Sequence, residues 1–341
     1  MHVLLTGGNG FLAAHILNHL LERGHSVVTT VRSQERVNRI KALHPALRKD
    51  KLDFFIVPDV AKHGSFDSVF RGDHVFDAVI HTASPNVRSC NDVQKELLDP
   101  SIIGTTGLLS SIIRLAPSVK RVVYVSSMAA LIDASKGDWP EHTYTVADWN
   151  PITLEEALDN SSWIPGYRAS KTFAERAAWE FMDRENPPFT LTTLTPPGIF
   201  GPMVRYPGYP PEPLNASNEI FSKLLDGKVF PTGLYTWINV TDAALAHVKA
   251  IEEENFTSER IFLTSSEQLC IKEVIEIIYE EFPELRERLP AKDTWHIAGY
   301  PEGGVYKVDA ARAKALIGRE FLPLKGTVIE TVKTYKDYLY S

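Results

Sequence analysis

Residues 2–15 read HVLLTGGNGFLAAH, and this stretch decides the fold. A short run of Val and Leu ends in a cluster of glycines. FLAAHILNHLLERG follows at residues 11–24 with helical spacing and stops at Gly24. Gly7 and Gly10 stand in a GxxG pattern, Gly8 belongs to the same turn, and Ala13 takes the next close-packed position. Glycine permits a tight turn and a near approach of backbone to a pyrophosphate. The helix that begins at Phe11 and Leu12 offers unpaired amides to such an anion. Thr6, Gly7, Gly10, Phe11 and Leu12 are therefore candidate dinucleotide contacts. A purely structural strand-to-helix turn is the competing reading.

The pattern repeats outward. SVVTTV (26–31), LDFFIVPD (52–59), FDAVIHTAS (76–84) and KRVVYVSS (120–127) read as further strands. Helical segments fit between several of them, notably 34–43 and 97–115. Apolar strands separated by helices predict an α/β, Rossmann-type, doubly wound parallel sheet with both faces covered. Ligands bind beyond the carboxyl ends of such strands, where Thr6, Asp59, His81 and Ser127 fall. Residues 131–165 lack clean periodicity and read as an excursion. A long helix is expected from Tyr167 to about Asn186, then a sixth strand in FTLTTLTPPGIFGP (189–202). WINVTDAALAHVKAIEEE (237–254) reads as strand then helix, ERIFLTSS (259–266) as a strand, and 271–282 and 324–339 as amphipathic helices. Residues 1–190 are expected to form mainly the dinucleotide-binding domain with the catalytic groups. Residues 191–341 are expected to form mainly a smaller substrate-binding lobe, with 234–265 returning to the first domain. RYPGYPPEP (205–213) is a loop, either a substrate lip or plain surface.

Composition narrows the class. Apolar residues at 44% and charged residues at 23% suit a water-soluble core-forming chain. A formal charge of −7 argues against nucleic acid as the main partner. Cys90 and Cys270 are the only cysteines, so neither a disulfide framework nor a Cys-rich metal site is expected. No apolar run reaches the roughly 18 residues of a membrane span. The N-terminus enters its first strand without a basic leader, which predicts a cytoplasmic protein.

The end of the second strand separates two cofactors. An acid there would accept the ribose hydroxyls of NAD. The sequence instead reads TTVRSQERV, with Arg32 at that place and Arg36 one turn later. A guanidinium pairs with a 2′-phosphate, so the expected cofactor is NADPH/NADP+. For Arg36 a surface ion pair is an equal alternative. Asp59 is a candidate partner of the adenine amino group, with Val60 beside it. Thr82, Ala83 and Ser84 are candidates along the cofactor's path. His81 is either a core histidine or a cofactor contact.

GYRASK (166–171) places Tyr167 one helical turn before Lys171, and SSMAA (126–130) leaves the fifth strand at the same sheet edge. Carbonyl reduction needs hydride at carbon and a proton at oxygen. A tyrosine hydroxyl supplies the proton. A lysine ammonium favours tyrosinate and binds the nicotinamide ribose. Ser127 can hold phenol and carbonyl together, being donor and acceptor at once. Ser126 is expected to pack or to bond nearby backbone.

At these residues the chain resembles the extended short-chain dehydrogenase/reductase superfamily. The nearer resemblance is to its dihydroflavonol-reductase-like group, which takes in methylglyoxal reductases and related ketoreductases. The marks are TGGNGFLA, TVRS, Asp59-Val60, HTAS, VVYVSSMAA, YRASK, FGP, WINVTDAALAHVKA and the late VDAARAKALIG. The resemblance implies Ser127, Tyr167 and Lys171 as the catalytic trio. It also sets Thr195–Phe200, with Pro196, Gly198 and Ile199, beside the nicotinamide and substrate. Two positions depart from the group's pattern. No Asn stands near Gly104, and Asn239 replaces the usual Asp before Val240, although Asp242 remains.

Met128, Trp163, Phe200, Tyr206, Tyr209 and Tyr235 are either an apolar pocket around a carbonyl or ordinary packing. The expected function is NADPH-dependent reduction of an aldehyde or ketone. The alternatives are a nucleotide-sugar epimerase or dehydratase with retained NAD, and a non-catalytic NADP(H) sensor. The expected partner is a small carbonyl compound, with no membrane, no nucleic acid and no metal. The group implies a monomer, or a homodimer through helices four and five.

Overall fold

A computed structural model describes residues 1–85, 89–158 and 162–339. In chain order the first half runs β1 (His2–Thr6), α1 (Phe11–Glu22), β2 (Ser26–Val31), α2 (Gln34–Leu43), β3 (Leu52–Ile56), α3 (Asp67–Phe70), β4 (Ala78–His81), α4 (Asp99–Leu115), β5 (Arg121–Val125), β6 (Thr143–Tyr144), α5 (Leu154–Leu158) and α6 (Trp163–Glu185). The second half adds β7 (Thr190–Leu194), β8 (Gly198–Phe200), α7 (Glu219–Leu225), β9 (Trp237–Asn239), α8 (Val240–Glu252), β10 (Arg260–Ile261), α9 (Ile271–Glu281), β11 (Lys307–Val308), α10 (Ala311–Ile317) and α11 (Leu324–Leu339).

Seven parallel strands form one sheet in the order β3-β2-β1-β4-β5-β7-β10. Alternate side chains enter opposite layers, as the period of two requires. Val3, Leu5, Val27, Ile80 and Val123 join a core with Ile16 and Leu20 of α1 and Ala243 and Ala246 of α8. Leu4, Val28, Val79, Val122 and Tyr124 join another with Leu108 of α4 and Ala174 of α6. Both faces are dry, which explains why these strands read as unbroken apolar runs. Truncating a fully buried leucine such as Leu20 is expected to cost about 2–5 kcal/mol. A third core joins Phe200, Phe221, Trp237, Ile275 and Val332 of the second half.

The order reverses at β1, whose neighbours are β2 on one side and β4 on the other. The connections after β1 and β4 therefore leave in opposite directions and open a crevice at the carboxyl ends.

Helix α6 begins at Trp163, four residues before the expected Tyr167. The Ser162 hydroxyl caps it by accepting the Ile164 N–H at 3.2 Å. Pro165 lies in the first turn, where its missing N–H costs nothing. Asn186 ends the helix in the left-handed region, φ 41°. The excursion after β5 is tied down at its middle, because β6 pairs in parallel with β11. Helix α4 is preceded by a π-helical turn, Gln94–Leu98. No helix among the described residues is long and apolar enough to cross a membrane.

Candidate active site

A cleft of about 450 Å³ lies at the switch point and runs across the carboxyl ends of β1, β2, β4 and β5. Its first wall is the glycine turn. The Gly7 and Gly8 N–H groups donate to Thr30 O at 3.0 and 3.1 Å, and Gly10 N–H donates to Gly7 O at 2.9 Å. Gly7 has φ 74°, and a Cβ there would lie 3.1 Å from the Ala83 backbone. The turn thus brings β1 and the β4 loop into contact. No side chain caps α1 at Gly10, so its first amides face the cleft unshielded. Phe11, Leu12, Ala13, Thr82, Ala83, Ser84 and Val60 line the same space.

Arg32 and Arg36 close the β2 end of the cleft. Backbone amides followed by two guanidiniums make a donor set for a pyrophosphate and a further phosphate. The residues fit NADPH on that chemistry.

Ser127, Tyr167 and Lys171 line the other end. Ser127 leaves β5 in extended backbone and its hydroxyl accepts the Ala129 N–H at 3.1 Å. The same hydroxyl lies close enough to the Tyr167 phenol to act on its pKa. Burial raises the phenol pKa above its ordinary value, and the Ser127 hydroxyl acts against that rise. Tyr167 is therefore protonated at neutral pH, as a proton donor must be. Lys171 Nζ donates to Ser84 Oγ at 3.1 Å and lies 6.0 Å from the Tyr167 ring centroid. Burial lowers its pKa from 10.5 to about 8, with Glu175 opposing the fall.

Several expected contacts sit elsewhere. Thr6 is fully buried under the turn, where its Oγ1 accepts the Thr82 and Ala83 N–H groups at 3.1 and 3.0 Å and bonds His81 Nδ1 at 2.8 Å. It shapes the cleft floor rather than lining it. His81 is the core histidine of the two readings. It stacks on Tyr124, meets Phe66 edge-on, and is pushed down to about 3 by burial, so it is neutral. The Asp59 carboxylate is exposed and closes a local turn by accepting the Ala61 N–H at 2.9 Å. Among the described residues lining the cleft, Val57 and Val60 flank it instead.

Pro196 and Ile199 line the cleft, while Gly198 is buried in β8 against the Phe200 ring. Phe200 packs edge-to-face on Phe221 in the core of the second half. Met128 and Tyr235 share another core with Tyr144 and Phe262. These three are packing residues because their strands and turns point them inward. Trp163 lies outside the cleft lining, 6.0 Å edge-on to Tyr167. Tyr206 is 6% exposed and lines a neighbouring cavity with Asn9, Gly10 and Phe11.

Ser126 does not satisfy its hydroxyl with backbone. It donates to Glu175 Oε2 at 2.6 Å. Glu175 is wholly buried and also accepts from Thr193 Oγ1 at 2.7 Å and Arg260 Nε at 2.8 Å. Arg260 stacks on Trp149 at 3.7 Å and donates to the carbonyls of Ala130, Val146 and Asp148. A charge on the apolar side of a helix, one turn from Lys171, was the available signal for this network. Asn9, Thr30 and Asn215–Ser217 also line the cleft without having been singled out from sequence. Asn239 caps α8 by accepting the Thr241 N–H at 2.7 Å, and its amide donates to Thr327 at 2.9 Å. An amide serves both roles where a carboxylate would serve one. Gly104 faces Val60, whose Cγ2 would lie 3.2 Å from a Cβ there, so a larger residue would press on the cleft wall.

A parallel sheet with a glycine turn at its switch point and a Ser-Tyr-Lys cluster facing that turn defines a dinucleotide-dependent enzyme of the extended short-chain dehydrogenase/reductase class. The chain belongs to the NAD dependent epimerase/dehydratase family, which it matches over residues 3–263. It is 37% identical to the ketoreductase azaE of Aspergillus niger, over 97% of this chain and 96% of that protein. It is 34% identical to the NADPH-dependent methylglyoxal reductase GRE2 of Saccharomyces cerevisiae, over 97% of each. The crystal structure of yeast methylglyoxal/isovaleraldehyde reductase Gre2 complexed with NADPH superposes with a TM-score of 0.88 at 32% identity, covering 100% of this chain and 99% of that one.

Proposed function

We propose that this protein is an NADPH-dependent reductase of aldehydes and ketones in which Tyr167 donates the proton, Ser127 orients the carbonyl and Lys171 holds the cofactor ribose. The observation that carries the reading is the common cleft shared by the glycine turn, Arg32 and the three catalytic candidates. NADPH, when bound, supplies the hydride. The chain's own part is to bind, to orient and to move a proton. The α1 amides and Gly7–Gly10 hold the pyrophosphate, and Arg32 and Arg36 hold the 2′-phosphate. The Tyr167 O–H, kept protonated by burial, gives its proton to the carbonyl oxygen as negative charge develops there. Ser127 Oγ accepts the Ala129 N–H with one lone pair, which leaves its proton and its second lone pair for the carbonyl and the phenol.

The lining also bears on the substrate class. Among the described residues that line the cleft, the cations are Arg32, Arg36 and Lys171, and all three are assigned to the cofactor. The rest of the lining brings in Pro85, Val125, Pro196, Pro197 and Ile199 beside hydroxyl and amide groups, with no further cation. An uncharged carbonyl compound suits it better than a phosphorylated or dianionic one. The similarity to named ketone and methylglyoxal reductases supports the same class.

The test is a panel of small aldehydes, α-dicarbonyls, β-ketoesters and aryl ketones with NADPH, followed by chiral analysis of the alcohols. Stoichiometric NADPH consumption with alcohol formation is the expected result. Sugar-nucleotide turnover without net cofactor consumption would instead assign an epimerase. A kcat/KM ratio favouring NADH would overturn the roles of Arg32 and Arg36.

A further inference from the structure

The loop 205–213 is fastened to α2 by one carboxylate. Glu212 Oε1 accepts from Arg39 Nη1 at 2.6 Å and, on the same oxygen, from Arg36 Nη1. The two arginines differ in how firmly they are held. Arg39 is 10% exposed at its side chain, chelates Glu35 at 2.8 and 3.0 Å, donates to Pro210 O, and lies 5.2 Å over the Tyr209 ring. Arg36 is 31% exposed and lines the cofactor cleft. One carboxylate thus bridges a fixed arginine and one that faces the cleft. The loop's cavity shares Asn9, Gly10, Phe11 and Asn215 with that cleft, so the strap and the cofactor share a wall.

We propose that Glu212 is a cofactor-specificity residue, a built-in counter-ion that competes with the 2′-phosphate of NADPH for Arg36. Arrival of the phosphate draws the Arg36 guanidinium away, while Arg39 keeps Glu212 and the strap in place. The carboxylate then stands near a second anion and lowers its affinity. On departure of the product cofactor, Arg36 returns to Glu212, which assists release. NADH lacks the 2′-phosphate and leaves the Arg36–Glu212 pair untouched. The effect is moderate because Arg36 is partly solvated and the pair is screened. The inference rests on the assignment of Arg36 to the 2′-phosphate made above.

Calorimetric dissociation constants for NADPH, NADH, 2′,5′-ADP and 5′-AMP on the intact protein test this. Glu212→Gln keeps an oxygen acceptor for Arg39 and removes only the charge. The variant is expected to bind NADPH and 2′,5′-ADP about three- to tenfold more tightly, with NADH and 5′-AMP unchanged. An unchanged NADPH-to-NADH ratio, or an equal shift in all four ligands, would overturn the role of Glu212. Arg36→Met separates the two levels of the argument. If Arg36→Met collapses the preference for 2′,5′-ADP but Glu212→Gln does nothing, only the counter-ion role is lost. If Arg36→Met leaves the preference intact, the assignment of Arg36 to the phosphate fails, and the counter-ion role fails with it.

Discussion

Lys171 and Glu175 stand one turn apart on α6 and face opposite tasks. The lysine reaches into the cleft to Ser84, while the glutamate, wholly buried, reaches to Ser126 at the end of β5. The helix that carries Tyr167 is therefore bolted, through Glu175 and Ser126, to the strand that leads into Ser127. Arg260 completes the bolt from β10 and also grips the excursion after β5 through three carbonyls.

Arg260→Met should be among the more damaging single changes away from the cleft. It leaves the Glu175 carboxylate buried with only the Ser126 and Thr193 hydroxyls for partners. Removing one member of a buried pair costs about 3–5 kcal/mol. Replacing both, as Glu175→Met with Arg260→Met, is expected to cost clearly less than the sum of the single changes. Urea midpoints for the three variants measure this, and additive losses would show that the pair is not coupled.

Lys171 is expected to be bought at a cost in stability. Folded Lys171 loses its proton near pH 8, whereas the exposed side chain keeps it to about 10.5. Between those values the unfolded chain binds more protons, so stability rises with pH across that window. Below pH 8 the buried ammonium carries its full penalty, and the shift from 10.5 to about 8 is worth about 3 kcal/mol. Lys171→Met should therefore be more stable than the wild type at pH 7, by about 1–3 kcal/mol once the lost Ser84 hydrogen bond is counted. The difference should shrink toward pH 10.5. Unfolding free energies of both proteins from pH 6 to 10.5 provide the check, and a gap that does not narrow would contradict the assignment. Reductase activity of the variant should fall sharply throughout.

The glycine turn gives a third expectation. A Cβ on Gly8 would sit 2.0 Å from Thr29 Oγ1, and that hydroxyl is held by its bond to Leu5 O at 2.8 Å. Gly8→Ala must displace the turn or β2, at about 1–3 kcal/mol. NADPH affinity should drop with it, because the same turn carries Gly7 and Gly10. Adding Thr29→Ala removes the nearest contact and should restore part of both losses. Failure of the second change to restore anything would mean that the turn is not limited by this contact.

Local chemistry made the central sheet legible. Five apolar runs in the first half became β1 to β5, because strands buried on both faces carry a simple signal. The GxxG turn, Arg32 and the Ser-Tyr-Lys cluster were readable for the same reason, since each is local or fixed by a strand end. What could not be read depended on distant pairings. The aromatic residues Phe200 and Tyr235 face the interior because β8 pairs with β9 and because Tyr235 meets Tyr306 and Tyr300, partners more than 60 residues on. The link of Glu212 to Arg36 and Arg39 spans more than 170 residues. The Asp59 carboxylate closes a two-residue turn that any Asp can make, a local contact that says nothing of a ligand.

Tyr167→Phe is the change that bears most directly on the chemistry. It keeps the ring, and so the edge-on contact with Trp163 and the neighbouring Lys171, but removes the hydroxyl whose pKa Ser127 influences. Cofactor binding should change little, since the glycine turn, Arg32 and Lys171 remain. The chemical step should slow by about 10²–10⁴-fold, the usual loss when a positioned general acid is removed. Ser127→Ala should act differently. It leaves the phenol but removes the neighbouring hydroxyl, so orientation suffers and the phenol's pKa rises further, because the group that opposed the rise is gone. Single-turnover hydride transfer at saturating NADPH and ketone isolates that step from binding and product release. A Tyr167→Phe protein that is folded, binds NADPH and keeps the wild-type transfer rate would reduce the tyrosine to one more residue on a helix face.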